Sequence, residues 1–106
     1  MDIEIVKNAI TSRKPIAFEY HKSGHKTGYR RGNPHALYYH NSTKNLILDV
    51  YQTKGATSDN EKLPGWRPIL MKYIKNVEIL DTENEFEIAK GYNSTSDNYR
   101  NYIVKL

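Results

Sequence analysis

The chain contains no cysteine. Disulfides, thiolate catalysis and thiolate-held zinc are therefore excluded, and nothing in the sequence calls for an oxidising compartment. Nor is there an apolar run approaching the roughly 20 residues a membrane helix needs, or a basic-then-apolar amino terminus resembling a signal peptide. A cytosolic protein with no membrane partner is the expectation. Glycine and proline are sparse and scattered, six and four in 106 residues, so no linker, repeat or low-complexity tract divides the chain, and residues 1–106 read as one domain.

Catalytic signatures are missing too. The sequence has no glycine-rich phosphate loop, no serine nucleophile elbow and no His-Glu-x-x-His metal helix. Histidines stand at 21, 25, 35 and 40. The first two, four apart, could share a metal only on a helix, and Gly24 between them opposes one. Most carboxylates fall in the acidic stretch 81–87 or in loops, where they read as a solvated connecting face and not as an acid–base pair. No metal and no cofactor is expected, and a small hydrolase or nuclease is the weakest of three functional readings.

What the chain does have is positive charge and tyrosine. Sixteen Lys and Arg against 12 Asp and Glu give a formal +4 and a pI near 9.2, a balance that favours anionic partners. Nine tyrosines and the single tryptophan accompany it. Tyr29, Arg30, Arg31, Tyr38, Tyr39, Tyr51, Trp66 and Arg67 mix planar rings with guanidinium groups, the chemistry that stacks bases and forks onto phosphates. Alternate tyrosines on a sheet also build cores, and an arginine can equally serve an ion pair.

Periodicity supplies the elements. Ile3, Val6 and Ile10 predict an amphipathic helix over 2–12, stopped by Pro15. Residues 15–21 alternate as a half-buried strand, and Gly24 and Gly28 bracket a basic hairpin turn. A second strand runs from Tyr29 through Tyr39, with a bulge or corner expected near Pro34. Leu46, Leu48 and Val50 alternate with Ile47, Asp49 and Tyr51 in a third. Residues 66–73 form another, and a short final strand over 77–80 follows a tight turn or bulge at Lys75 and Asn76. Ser94 and Asp97 at capping-box spacing, with Tyr99, Tyr102, Ile103 and Leu106 at helical intervals, predict a short carboxy-terminal helix. The expected fold is mainly β (α+β): a small, strongly bent antiparallel sheet closing into a barrel, flanked by terminal helices.

The amino-terminal helix, Arg13-Lys14-Pro15-Ile16-Ala17-Phe18-Glu19-Tyr20, Arg30 to Leu37, Asn45 to Leu48, Trp66-Arg67 and Tyr73-Ile74-Lys75-Asn76-Val77 follow one another in an order that resembles the WYL domain family. The likeness is to its compact stand-alone members, with a Tyr-Gln-x-x-Gly segment at 51–55, Pro-Gly-Trp-Arg at 64–67 and Gly-Tyr-Asn at 91–93. The chain departs from the pattern at Asn45-Leu46-Ile47, where the name-giving Trp-Tyr-Leu would stand, and at Lys72-Tyr73, where a late strand usually supplies arginine. The resemblance implies an SH3-like or Sm-like β-barrel that binds nucleotides or single-stranded nucleic acid, of a kind found in transcription regulators and in phage-defence systems. No helix-turn-helix is read alongside it. A stand-alone copy would then sense or sequester a nucleotide signal, a cyclic one included.

On this reading Arg30, Arg31 and Arg67 contact phosphate, Tyr51 and Trp66 stack on or wall the ligand, and His35, Gln52 and Ser58 supply hydrogen bonds. Apolar sides on both terminal segments suggest a homodimer. The alternative is a protein–protein interaction module whose barrel edge or tyrosine face docks a partner, with arginines at the rim.

Overall fold

The computed structural model describes residues 2–24, 27–57 and 62–106. His25 and Ser58 lie outside them. Helix α1, Asp2–Ser12, buries Val6, Ala9 and Ile10, a one-sided apolar stripe at helical spacing, and carries Asp2 and Glu4 in its first turn, where the helix dipole favours them. It ends in a Schellman motif. Arg13 takes φ 54° while its N–H bonds to Ile10 O and that of Lys14 to Ala9 O, so the last carbonyls are satisfied without a glycine.

Six strands follow: β1 Ile16–Tyr20, β2 Gly28–Tyr39, β3 Leu46–Gly55, β4 Gly65–Leu70, β5 Ile74–Ile79 and β6 Tyr102–Lys105. They form one antiparallel sheet in the order β4-β3-β2-β1-β5, with β6 paired to β2. The fold is α+β and mainly β, as expected, but the barrel is not closed, because β4 and β5 are the two ends of the strand order. The strand expected over 66–73 stops at Leu70. A 3-10 turn, Met71–Tyr73, then redirects the chain into β5, which begins earlier than expected and is not the last strand.

The carboxy-terminal helix expected from the spacing of Tyr99, Tyr102, Ile103 and Leu106 does not form. A short 3-10 turn, Asp97–Tyr99, capped by Ser96 and not Ser94, leads into β6. The cause is tertiary. β1 pairs with β2 only as far as Gly32, which leaves the same edge of β2 without a ladder farther along, and Lys105, Val104 and Tyr102 fill it opposite Ala36, Leu37 and Tyr38. The β-branched Ile103 and Val104 suit that role better than a helix.

Bulges shape the sheet near Pro34 and at Asn76, where the sequence predicts them, and also at Thr53, where it does not. Between β2 and β3 the register shifts at Thr53 and again at His35, next to Pro34. Against β1, β5 carries an extra residue at Asn76, which has φ 54°. One sheet face packs on α1 through Ile16, Phe18, Leu37, Leu48, Val50 and Ile69. The other holds a smaller cluster of Ala36, Tyr38, Ile47 and Tyr99, with Tyr92 against it. Helix α1 thus covers the first face, and the irregular segment 81–101 the second.

Candidate functional site

Segment 81–101 has almost no regular structure, so its placement rests on side chains and isolated backbone bonds. Leu80 N–H donates to Pro15 O and Phe86 N–H to Arg13 O, fixing its start beside the end of α1. Phe86 is buried. Farther along, Ala89 N–H donates to His35 Nε2 at 3.0 Å, Lys90 O accepts from Trp66 Nε1 at 3.1 Å, and Tyr92 Oη donates to Leu106 O at 2.9 Å.

His35 is the anchor of this face. Its neighbour Ala36 pairs with Asp49 while Pro34 pairs with Val50, so the bulge gives His35 no partner on β3 and turns its ring to the side of Ala36. There it is 0% exposed and meets Trp66, Phe86 and Tyr92 at centroid distances of 4.7, 5.0 and 5.1 Å. Because Nε2 accepts from Ala89, Nδ1 carries the proton and donates to Asn33 O at 2.8 Å. Burial pushes its pKa below the ordinary 6.5, and the bond to Asn33 opposes this only in part.

Beside this cluster opens a cleft of about 340 Å³, lined by Asp49, Tyr38 and Tyr99 on one side, by Trp66, Arg67 and Pro68 of β4, and by Tyr92, Asn93, Ser96 and Asn98 of the covering segment. The volume lies within the range of small-ligand sites. Among the described residues Asp49 is its one carboxylate. Its Oδ1 accepts from Tyr38 Oη at 3.0 Å and its Oδ2 from Tyr99 Oη at 2.7 Å. Burial raises the Asp49 pKa, while the two phenol hydrogen bonds pull it down. Both tyrosines are pushed well above their usual range, first by burial and then by the adjacent carboxylate.

The residues singled out in the sequence are only partly brought together. Trp66 and Arg67 line the cleft, and Tyr51 packs edge-on against Trp66 at 5.3 Å. His35 supports them from below as a buried side chain. Arg30 and Arg31, being consecutive on a strand, face opposite sides of the sheet. Arg30 is buried over the Tyr20 ring, with Nη1 donating to Gln52 Oε1 at 3.4 Å. Gln52 is buried as well, its Nε2 donating to Lys54 O and Ala56 O at the end of β3. Arg31 is at the surface, ion-paired with Glu83. Arg67 donates to Trp66 O, to Lys62 O and to Thr57 Oγ1, clasping the two ends of the β3–β4 connection.

Asp49, Tyr92 and Tyr99 were not among the residues chosen from sequence. Asp49 carried a signal: an aspartate between Ile47 and Tyr51 on one face of a strand is a residue type strands disfavour. Tyr92 and Tyr99 belong to a segment without periodicity, and only the fold shows what they meet. Among the described residues no group of three His, Asp or Glu is placed to hold a metal ion, and no helix is long and apolar enough to cross a membrane. No protein-family model matches this chain, and neither do any curated protein or solved structure.

Proposed function

We propose that the protein is a non-enzymatic ligand-binding module of the WYL type, an open SH3-like or Sm-like barrel, and that the cleft beside Asp49 takes a nucleotide or a nucleotide unit of a short single strand. The observation that supports this most is one cleft uniting an aromatic wall of Trp66, Tyr92 and Tyr99 with a half-buried carboxylate and the polar side chains of Asn93, Ser96 and Asn98. Flat apolar surface with a few convergent polar groups suits a base and its sugar. The positive net charge favours a phosphate-bearing ligand over its neutral nucleoside. Sensing or sequestering a nucleotide signal is the role this reading assigns.

Native mass spectrometry with mononucleotides, cyclic nucleotides and short single strands at two salt concentrations tests it. A bound nucleotide mass, weakened by Trp66→Ala, is expected. A spectrum unresponsive to the whole panel overturns the reading and favours a protein-docking module, whose binding should change little with salt.

The homodimer belongs to the same proposal, with its surface revised. The apolar side of α1 and Ile103 and Val104 of β6 pack against the chain's own core, whereas Tyr39 and Tyr102, 43% and 52% exposed, lie along the β2–β6 pairing. Light scattering that returns a monomer at micromolar concentration rejects this part.

A further inference from the structure

We propose that Asp49 is the specificity-determining acceptor of the cleft and that it selects a guanine base through the paired N1–H and N2–H donors of that base. This rests on the cleft being a nucleotide site and names the base it reads.

An ionised carboxylate offers about four lone-pair sites and no donor. Tyr38 takes one on Oδ1 and Tyr99 one on Oδ2, so each of the two oxygens of the one carboxylate keeps an acceptor site. Among the described residues only Tyr38 and Tyr99 hydrogen-bond to the Asp49 carboxylate, with no lysine, arginine or backbone N–H on it, although it is half-buried on the cleft wall. A carboxylate withdrawn from water without a cation costs stability. The phenols offset this only in part, which leaves the group suited to donors arriving with a ligand.

The ligand that matches two adjacent acceptors is one with two adjacent N–H groups on a rigid plane. Guanine presents N1–H beside N2–H. Adenine and cytosine place an acceptor nitrogen next to their amine, where it faces a carboxylate lone pair, and uracil flanks its single N–H with carbonyls. A guanidinium carries the same donor pair. The cleft favours the base because Trp66, Tyr92 and Tyr99 wall it and Asn93, Ser96 and Asn98 stand where the attached sugar can be held.

The test is calorimetric titration of the full chain with GMP, IMP, AMP, CMP, UMP and free arginine. IMP differs from GMP only in lacking the N2 amine. GMP should bind tightest and IMP about tenfold weaker or more, the loss expected when one arm of a bidentate pair is removed. Asp49→Asn, checked for folding by its thermal melt, should erase the GMP–IMP difference. If all five nucleotides bind equally, the role given to Asp49 is wrong while the nucleotide reading stands. If none binds, the nucleotide reading fails and this inference falls with it. Binding of arginine alone would transfer the site to guanidinium ligands. The GMP–IMP comparison uses the unaltered protein, so it decides the matter even if the variant misfolds.

Discussion

Replacing His35 by phenylalanine should reveal whether this ring is the pin holding the second face of the sheet closed. Phenylalanine keeps the contacts with Trp66, Phe86 and Tyr92 but can neither donate to Asn33 O nor accept from Ala89 N–H. Each stranded partner costs about 1–3 kcal/mol when buried. Asn33 and Ala89 are only half-buried, so water recovers part of the loss, and about 2–3 kcal/mol in total is expected. A domain with about 5–15 kcal/mol of stability survives that and stays measurable.

The same substitution should change the pH dependence. The folded pKa of His35 lies below its unfolded value, so the unfolded chain binds the extra proton and stability is lost as pH falls below about 6.5. One proton accounts for at most about 1.4 kcal/mol per pH unit. Asp49, with its pKa raised in the fold, acts with the opposite sign, so the informative quantity is the difference between the two proteins. Urea unfolding followed by Trp66 fluorescence, at pH 7.5 and 5.5, should show the gap between wild type and His35→Phe narrowing at the lower pH by up to about 1.4 kcal/mol. A gap that does not change, or a cost below about 1 kcal/mol at pH 7.5, would refute the assignment of His35 as a neutral, doubly bonded anchor.

Further outcomes follow from other contacts. Arg67→Ala removes three hydrogen bonds that, among the described residues, clasp Thr57, Lys62 and Trp66; at about 1 kcal/mol each before solvent compensation, a loss of about 1.5–3 kcal/mol is expected in urea unfolding. Gly32→Ala would set a Cβ 2.5 Å from Val50 Cγ1 and 2.8 Å from Tyr51 O, and since the β3 backbone cannot move without breaking the ladder, a cost of at least about 2 kcal/mol should appear in denaturant unfolding. For Asp49, the raised folded pKa means that its contribution is present at low pH and lost as pH rises through that pKa. Asp49→Asn should therefore gain stability relative to wild type between pH 4 and 7, and parallel unfolding curves showing the reverse trend would contradict the burial of that carboxylate.

The elements that could be read from sequence were those whose pattern is set by one local period. The stripe Ile3, Val6, Ile10 and the alternation from Leu46 to Tyr51 each report a single face, the bulge beside Pro34 is marked by a residue that cannot donate to a ladder, and that at Asn76 falls in the short gap between two strand patterns. In the tail, Tyr99, Tyr102, Ile103 and Leu106 satisfy a helical period by coincidence, and the chain forms β6 instead. What decides its structure is the vacant edge of β2, a property of where β1 stops.

The site was harder, since half of its wall comes from a segment with no period at all. Arg30 and Arg31 cannot both contact phosphate on one face, because strand geometry separates them. On a strand, neighbours point to opposite faces. Whichever of the two faces a ligand, the other must be used elsewhere, and the fold uses Arg30 over Tyr20 and Arg31 against Glu83. The same alternation joins Ile47, Asp49 and Tyr51 on one face. A carboxylate held there between apolar residues must either find donors within the protein or wait for them, and Tyr38 and Tyr99 supply two where its lone pairs accept about four.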